Sequence, residues 1–201
     1  CMDTLALNYD PLANVDDGFC CGAEIPIPFG TQIGQDIDGE AANDDSGFSV
    51  SLSSDGNIVA VGARYNDDNG SSAGHVRVYN WTGTSWIQLG NDIDGESDYD
   101  FSGISVSLSS NGNTVAIGAP ENDGNGSGAG HVRVYNWTGT SWIQLGNDIE
   151  GESDYDNSGF SVSLSSDGNI VAIGSAGHVR VYNWTGNSWI QLGNDIDGEA
   201  A

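Results

Sequence analysis

The string Ser46-Gly47-Phe48-Ser49-Val50-Ser51-Leu52-Ser53-Ser54 returns as Ser102-Gly103-Ile104-Ser105-Val106-Ser107-Leu108-Ser109-Ser110, and again as Ser158-Gly159-Phe160-Ser161-Val162-Ser163-Leu164-Ser165-Ser166. Gly47, Gly103 and Gly159 set the period at 56 residues. A fixed period of this size specifies an array of like supersecondary units, each resting on its neighbours. It also bears on chemistry. An active site is one asymmetric constellation, so a residue that recurs once per unit answers first to architecture.

Within a unit the pattern is all β. Residues 48–53 alternate strictly between apolar and polar, which marks a strand with one buried face. Ser54-Asp55-Gly56-Asn57 follows as a tight hairpin signal, because Asp-Gly tolerates positive φ. Residues 58–63 (Ile-Val-Ala-Val-Gly-Ala) are apolar on both faces and read as a fully buried inner strand. After an Asp/Asn/Gly loop comes His75-Val76-Arg77-Val78-Tyr79, alternating again, and then a turn into Trp86-Ile87-Gln88-Leu89-Gly90. No stretch has helical periodicity, and 30 glycines argue against one. A four-stranded antiparallel meander with a doubly buried strand needs cover on both faces, so the units must stack face to face. That describes β-propeller blades. A linear β-stack of the same meanders is the other geometry.

The chain carries 29 acidic residues, four arginines and no lysine, a net charge of −25. Such a balance excludes binding to nucleic acid or insertion at an anionic membrane, which need a basic footprint. It favours multivalent cations or a salty medium. No apolar run is long enough to span a bilayer. The three cysteines sit at Cys1, Cys20 and Cys21. Two of them pair and one is left over. A Cys1–Cys20 disulfide would staple residues 1–22, a segment too short for its own core. Cys21 is then free or intermolecular. Residues 23–28 alternate proline and form a stiff linker.

The first segment resembles a cysteine-bounded repeat of bacterial surface proteins, of the form C-x-D-x-x-A-x-N-Y-x-P-x-A-x-x-D-D-G-x-C. Cys1, Asp3, Ala6, Asn8, Tyr9, Pro11, Ala13, Asp16, Asp17, Gly18 and Cys20 match it. The units over 29–201 (about 38–93, 94–149 and 150–196) resemble FG-GAP repeats, the blades of integrin-α-like propellers. Gly118-Ala119-Pro120 spells the second half of that signature, Gly62-Ala63-Arg64 and Gly174-Ser175-Ala176 are degenerate copies, and the first half is altered to Ser-Gly-Phe or Ser-Gly-Ile. The resemblance implies an extracellular or cell-surface location and an adhesive or structural role. The family's D-x-D-x-D-G calcium loop is reduced here to Ser-Ser-Asp-Gly-Asn or Ser-Ser-Asn-Gly-Asn, so that site does not carry over.

Residues 29–37 copy the fourth-strand run 85–93, which predicts an orphan strand ahead of three complete meanders. An open sheet edge is a template for another strand. Copies of the chain can therefore close a ring or join head to tail in a fibre, unless the array belongs to a longer protein.

The acidic loops are the candidate cation sites. They contain Asp36, Asp38 and Glu40; Asp92, Asp94, Glu96, Asp98 and Asp100; and Asp148, Glu150, Glu152, Asp154 and Asp156. Alternating oxygen ligands around a glycine suit Ca²⁺, although a solvated acidic turn has the same composition. Asp67, Asp68, Asn69, Asp123 and Asn125 lie in a second loop that unit three lacks: His131 to His178 is 47 residues, a deletion of nine. His75, His131 and His178 recur singly and read as structural. Arg77, Arg133 and Arg180 should pair with carboxylates. Six tryptophans (Trp81, Trp86, Trp137, Trp142, Trp184, Trp189) read as inter-blade packing, or as a rim that stacks on surface glycans. Asn80, Asn136 and Asn183 fit the N-glycosylation pattern. With no nucleophile–base pair, phosphate loop or zinc spacing, the sequence predicts a non-catalytic scaffold, with a lectin-like propeller as the alternative.

Overall fold

The computed structural model describes residues 31–199. The Cys1–Cys20 bridge, Cys21 and the 23–28 linker lie outside the described residues. Contacts divide the chain into Cys1–Gln35 and Asp36–Ala201; every strand lies in the second unit. Among the described residues no helix is long and apolar enough to cross a membrane.

The repeats fold as three sheets. Blade 1 comprises β1 (Ser46–Leu52), β2 (Ile58–Ala63), β3 (His75–Trp81), β4 (Trp86–Gln88) and β5 (Ile93–Asp94). Blade 2 comprises β6 (Ser105–Leu108), β7 (Thr114–Ala119), β8 (His131–Trp137), β9 (Trp142–Gln144) and β10 (Ile149–Glu150). Blade 3 comprises β11 (Ser161–Leu164), β12 (Ile170–Gly174), β13 (His178–Trp184), β14 (Trp189–Gln191) and β15 (Ile196–Asp197). The first four strands of each form the expected antiparallel meander. The short fifth strand is an addition. It pairs with the start of the third strand, as His75↔Asp94 and Val76↔Ile93. The end of that strand pairs with the fourth, as Trp81↔Trp86. Gly90, at φ 75°, breaks the chain between these two ladders, a conformation open to glycine without steric cost.

The period-two alternation decides the packing. On β2 and β3, Ala60, Val76 and Val78 point toward blade 2, where they meet Val106, Leu108, Val115 and Ile117. Ala116, Val132 and Val134 of blade 2 meet Val171 and Ile173 of blade 3 in the same way. The inner strand of the middle blade, β7, is therefore covered by a neighbouring blade on both sides, as its unbroken apolar run demands. Seams also carry polar hooks. Ser54 N donates to Ser110 O and Ser110 N to Ser166 O, each at 2.9 Å. Leu108 N and Leu164 N donate to the hydroxyls of Ser51 and Ser107, each at 2.9 Å.

Two glycines let adjacent blades touch. A Cβ on Gly62 would lie 2.1 Å from the carbonyl oxygen of Gly103, and one on Gly118 would lie 1.9 Å from that of Gly159. The second-strand glycine of one blade thus abuts the glycine just ahead of the first strand of the next. The hydroxyls of Ser49 and Ser105 bond those same carbonyls at 2.7 and 2.8 Å.

Ahead of β1, residues 31–45 hold no strand. Among the described residues no third strand precedes the run that copies β4, and pairing with a third strand is what holds β4. Ile37 instead packs on Val59, Val61 and Tyr79, as Ile93 packs on blade 2.

Candidate functional site

Alternation on the third strand sends His75, Arg77 and Tyr79 to the face opposite Val76 and Val78. That face receives the acidic segment leading into the blade. Arg77 Nη2 donates to Asp38 O at 3.0 Å, Arg133 Nη2 to Asp94 O at 2.6 Å, and Arg180 Nη2 to Glu150 O at 3.2 Å. The same guanidiniums pair with Glu40, Glu96 and Glu152 at 3.4, 3.4 and 3.5 Å. Each buried arginine thereby ties its blade to the connector from the preceding unit, a charge-assisted clamp in place of a free cation.

The connectors also fold on themselves. Asp100 is buried, and its Oδ2 accepts from Glu96 N at 3.1 Å, Ser97 N at 2.9 Å and Asn122 Nδ2 at 3.0 Å. Asp44 accepts from Ala41 N and Asn66 Nδ2 in the same way. Asp156 accepts from Glu152 N and Arg180 Nη2. Asp98 and Asp154 accept from Ser71 N and Ser127 N across the loops.

Five carboxylates gather around two histidines. Glu40, Asp68 and Asp92 converge on His75, and Glu96 and Asp148 on His131, with ligand atoms in each set within 4.8 Å of one another. Glu40 and Glu96 come from connectors, the histidines from third strands, and Asp92 and Asp148 from just before the fifth strands. Burial lowers both histidine pKa values, His131 to about 4, and so favours the neutral ring at each. Burial and then the Asp92 charge raise the Glu40 carboxyl, while Arg77 opposes them. Burial and neighbouring charge raise Asp94 and Glu150 as well. Of the carboxylates named from sequence, Glu40, Asp68 and Asp92 are brought together with His75, Glu96 and Asp148 with His131, and Asp156 with His178. Asp36 and Asp38 lie in neither cluster. The histidines, read from sequence as structural, do face carboxylates, and the i, i+2 placement of His75 and Arg77 on one face of a strand sets them there. Unit three differs: its shortened loop leaves His178 Nε2 3.6 Å from Asp156.

The tryptophans pair within blades, with ring centroids 5.3 Å apart. They also cross seams. Trp142 Nε1 donates to Leu89 O and Trp189 Nε1 to Leu145 O, each at 2.8 Å. Trp137 and Trp184 lie over Gly90 and Gly146 of the preceding blade. Asp92, Asp94, Tyr135 and Trp142 line a groove of about 320 Å³, and Asp148, Glu150, Tyr182 and Trp189 line its counterpart of about 550 Å³. Asn80, Asn136 and Asn183 are half-buried near the ends of their strands.

Residues 37–79 match the FG-GAP repeat family. No curated protein matches the chain. Among solved structures, a putative 6-phosphogluconolactonase from Bacteroides fragilis NCTC 9343 superposes with TM-score 0.53 at 10% identity, over 75% of this chain and 38% of its own. A putative 6-phosphogluconolactonase from Bacteroides uniformis ATCC 8492 gives 0.51 at 11%, over 75% and 40%. Kuenenia stuttgartiensis hydrazine synthase gives 0.50 at 12%, over 81% and 40%. The chain thus spans about two fifths of the length of the structures it matches. These likenesses establish the fold, and they correct one expectation. The sequence reading excluded enzymatic activity, but this blade architecture is shared with proteins described as enzymes, so the exclusion does not stand. Residues 37–79, which span the first connector and three strands of blade 1, match the FG-GAP repeat, and the chain folds as a β-propeller-like array whose own sequence repeats at a 56-residue interval.

Proposed function

We propose that the chain is an extracellular structural or adhesive module that joins other copies of itself by blade-on-blade stacking. One observation supports this most directly: the two outer faces of the array are the two halves of its own seam. Val50 and Leu52 on the leading face are 63% and 59% exposed, whereas Val106 and Leu108, their equivalents inside a seam, are 9% and 7% exposed. On the trailing face Ile196 is 61% exposed, whereas Ile93 and Ile149 are each 5% exposed. A Cβ on Gly47 or Gly193 would meet nothing within 4 Å, although Gly103 and Gly146 abut the adjacent blade. A second copy seated on either face repeats contacts the molecule already makes. With a charge of −25 per copy, association needs salt or Ca²⁺ near the acidic connectors to screen repulsion.

Sedimentation velocity over a range of protein and salt concentrations tests this. Oligomers should grow with both. Leu52→Asp and Ile196→Asp, each on an exposed face, should each block growth. A mixture of the two variants should stop at pairs, joined through the intact faces. A particle that stays at 20.9 kDa under every condition would refute self-association. A second reading, binding of surface glycans, is favoured by the two equivalent acidic–aromatic grooves. Glycan affinity lost on Trp142→Ala and Trp189→Ala, in a chain that stays monomeric, would select it.

A further inference from the structure

The geometry points to a transition-metal site of the Zn²⁺ class formed by His75, Glu40, Asp92 and Asp68, repeated in blade 2 by His131, Glu96 and Asp148.

The histidines carry the inference more than the acids. His75 is 1% exposed, and its Nδ1 has no hydrogen-bond partner. A buried polar atom of this kind is normally satisfied. Its surroundings are not apolar: Nδ1 faces Asp92 Oδ2 at 3.5 Å and Glu40 Oε2 at 4.0 Å. His131 is also 1% exposed, with both ring nitrogens unpartnered and Nδ1 3.7 Å from Asp148 Oδ2. A neutral imidazole and a carboxylate that share a metal sit apart by roughly the edge of a tetrahedron with 2.0–2.2 Å bonds, about 3.3–3.5 Å. That is close to the observed spacing, and too long for a hydrogen bond.

The other oxygens of these carboxylates are already held, which orients the facing ones. Glu40 Oε1 pairs with Arg77 at 3.4 Å, and Asp92 Oδ1 accepts from Gln88 Nε2 at 2.5 Å. Glu96 Oε1 pairs with Arg133 at 3.4 Å, and Asp148 Oδ1 accepts from Gln144 Nε2 at 2.6 Å. Such outer partners fix metal ligands in place. One imidazole nitrogen with two or three carboxylates suits a borderline ion such as Zn²⁺ better than Ca²⁺, which takes oxygen alone. The fourth ligand of the first site, Asp68, is replaced by Gly124 at the corresponding position in unit two, leaving a three-ligand set there. In unit three the loop is shortened and His178 faces Asp156 instead. The chain should therefore take two ions, not three. Each would link a connector to the third strand of the blade it enters.

The test is titration of chelator-stripped full-length chain with ZnCl₂, followed by calorimetry and thermal unfolding. Two equivalents should bind at the histidine sites and raise the melting temperature, while CaCl₂ at equal concentration should not reproduce the shift. His75→Gln and His131→Gln should each remove one equivalent. Glu40→Gln and Asp92→Asn change partly exposed residues and should weaken the first site should His75→Gln fail to fold. Co²⁺ substitution separates these sites from the cysteines: a nitrogen–oxygen site gives visible d–d bands with no thiolate charge-transfer band. Zinc binding that is unchanged in the His75→Gln/His131→Gln double variant, or bound cobalt that reports thiolate ligation alone, would overturn the assignment.

Discussion

Gly118→Ala should open the seam between blades 2 and 3. The added Cβ would stand 1.9 Å from Gly159 O and 2.4 Å from Ser105 Oγ. A carbon and a carbonyl oxygen rest no closer than about 3.3 Å, so the blades must part by roughly 1.4 Å at that point. The serine can rotate away; the carbonyl belongs to a backbone fixed on both sides. Overpacking costs about 1–3 kcal/mol, and an immovable partner places this substitution near ~3 kcal/mol. For a chain of this size each kcal/mol moves the melting temperature by about 2–4 °C, so a fall of ~6–12 °C is expected by circular dichroism. Gly174→Ala is the internal control. Its Cβ would meet Ser161 Oγ at 2.3 Å, the same serine contact, but no neighbouring carbonyl. It should leave the melting temperature of the monomer nearly unchanged and weaken self-association instead. Equal destabilisation by the two substitutions would refute the claim that adjacent blades meet at these glycines.

Other outcomes follow from single contacts. Trp142→Phe removes the Nε1 bond to Leu89 O and should lower stability by about 1 kcal/mol, read as a reduced urea midpoint at unchanged slope. Asp55 accepts from the Ser53 hydroxyl and from Asn57, and these bonds lower its pKa from 3.8 to about 2. A depressed carboxyl stabilises the fold above its unfolded pKa, and that contribution is lost as pH falls through about 2. Carbon-detected titration by NMR should place Asp55 near that value; a midpoint at 3.8 would show that the turn is not locked. Asp55→Asn should abolish the titration yet keep the turn, since Asn111 already holds its hairpin through Ser109 at 2.9 Å.

Strands that fill a face were legible before any coordinates. The alternation of 48–53 and the unbroken apolar run of 58–63 gave β1 and β2, and repetition at 56 residues gave the stacking. Ile93–Asp94 was not legible, because two residues carry no period and the strand exists only through its pairing with His75 and Val76. The 29–37 run misled for the opposite reason: its side chains repeat those of a real strand, but among the described residues no hairpin mate precedes it. The acidic segments read as cation loops because composition does not say which acceptors are already taken. Asp100 and Asp44 are consumed by backbone and asparagine donors, whereas Asp92 keeps one oxygen turned toward a buried ring. No property of the linear chain tells those two cases apart.

The near-identity of the two seams has a cost during folding. Ser51 and Ser107, or Gly62 and Gly118, present the same lock to the same key, so an edge emerging early can accept a mate from the wrong place in its own chain or from a neighbouring nascent one. The shortened connection between β12 and β13 is the largest difference among the units. That truncation works as an address label, and grafting the missing nine residues back should increase mispaired, swapped species on refolding.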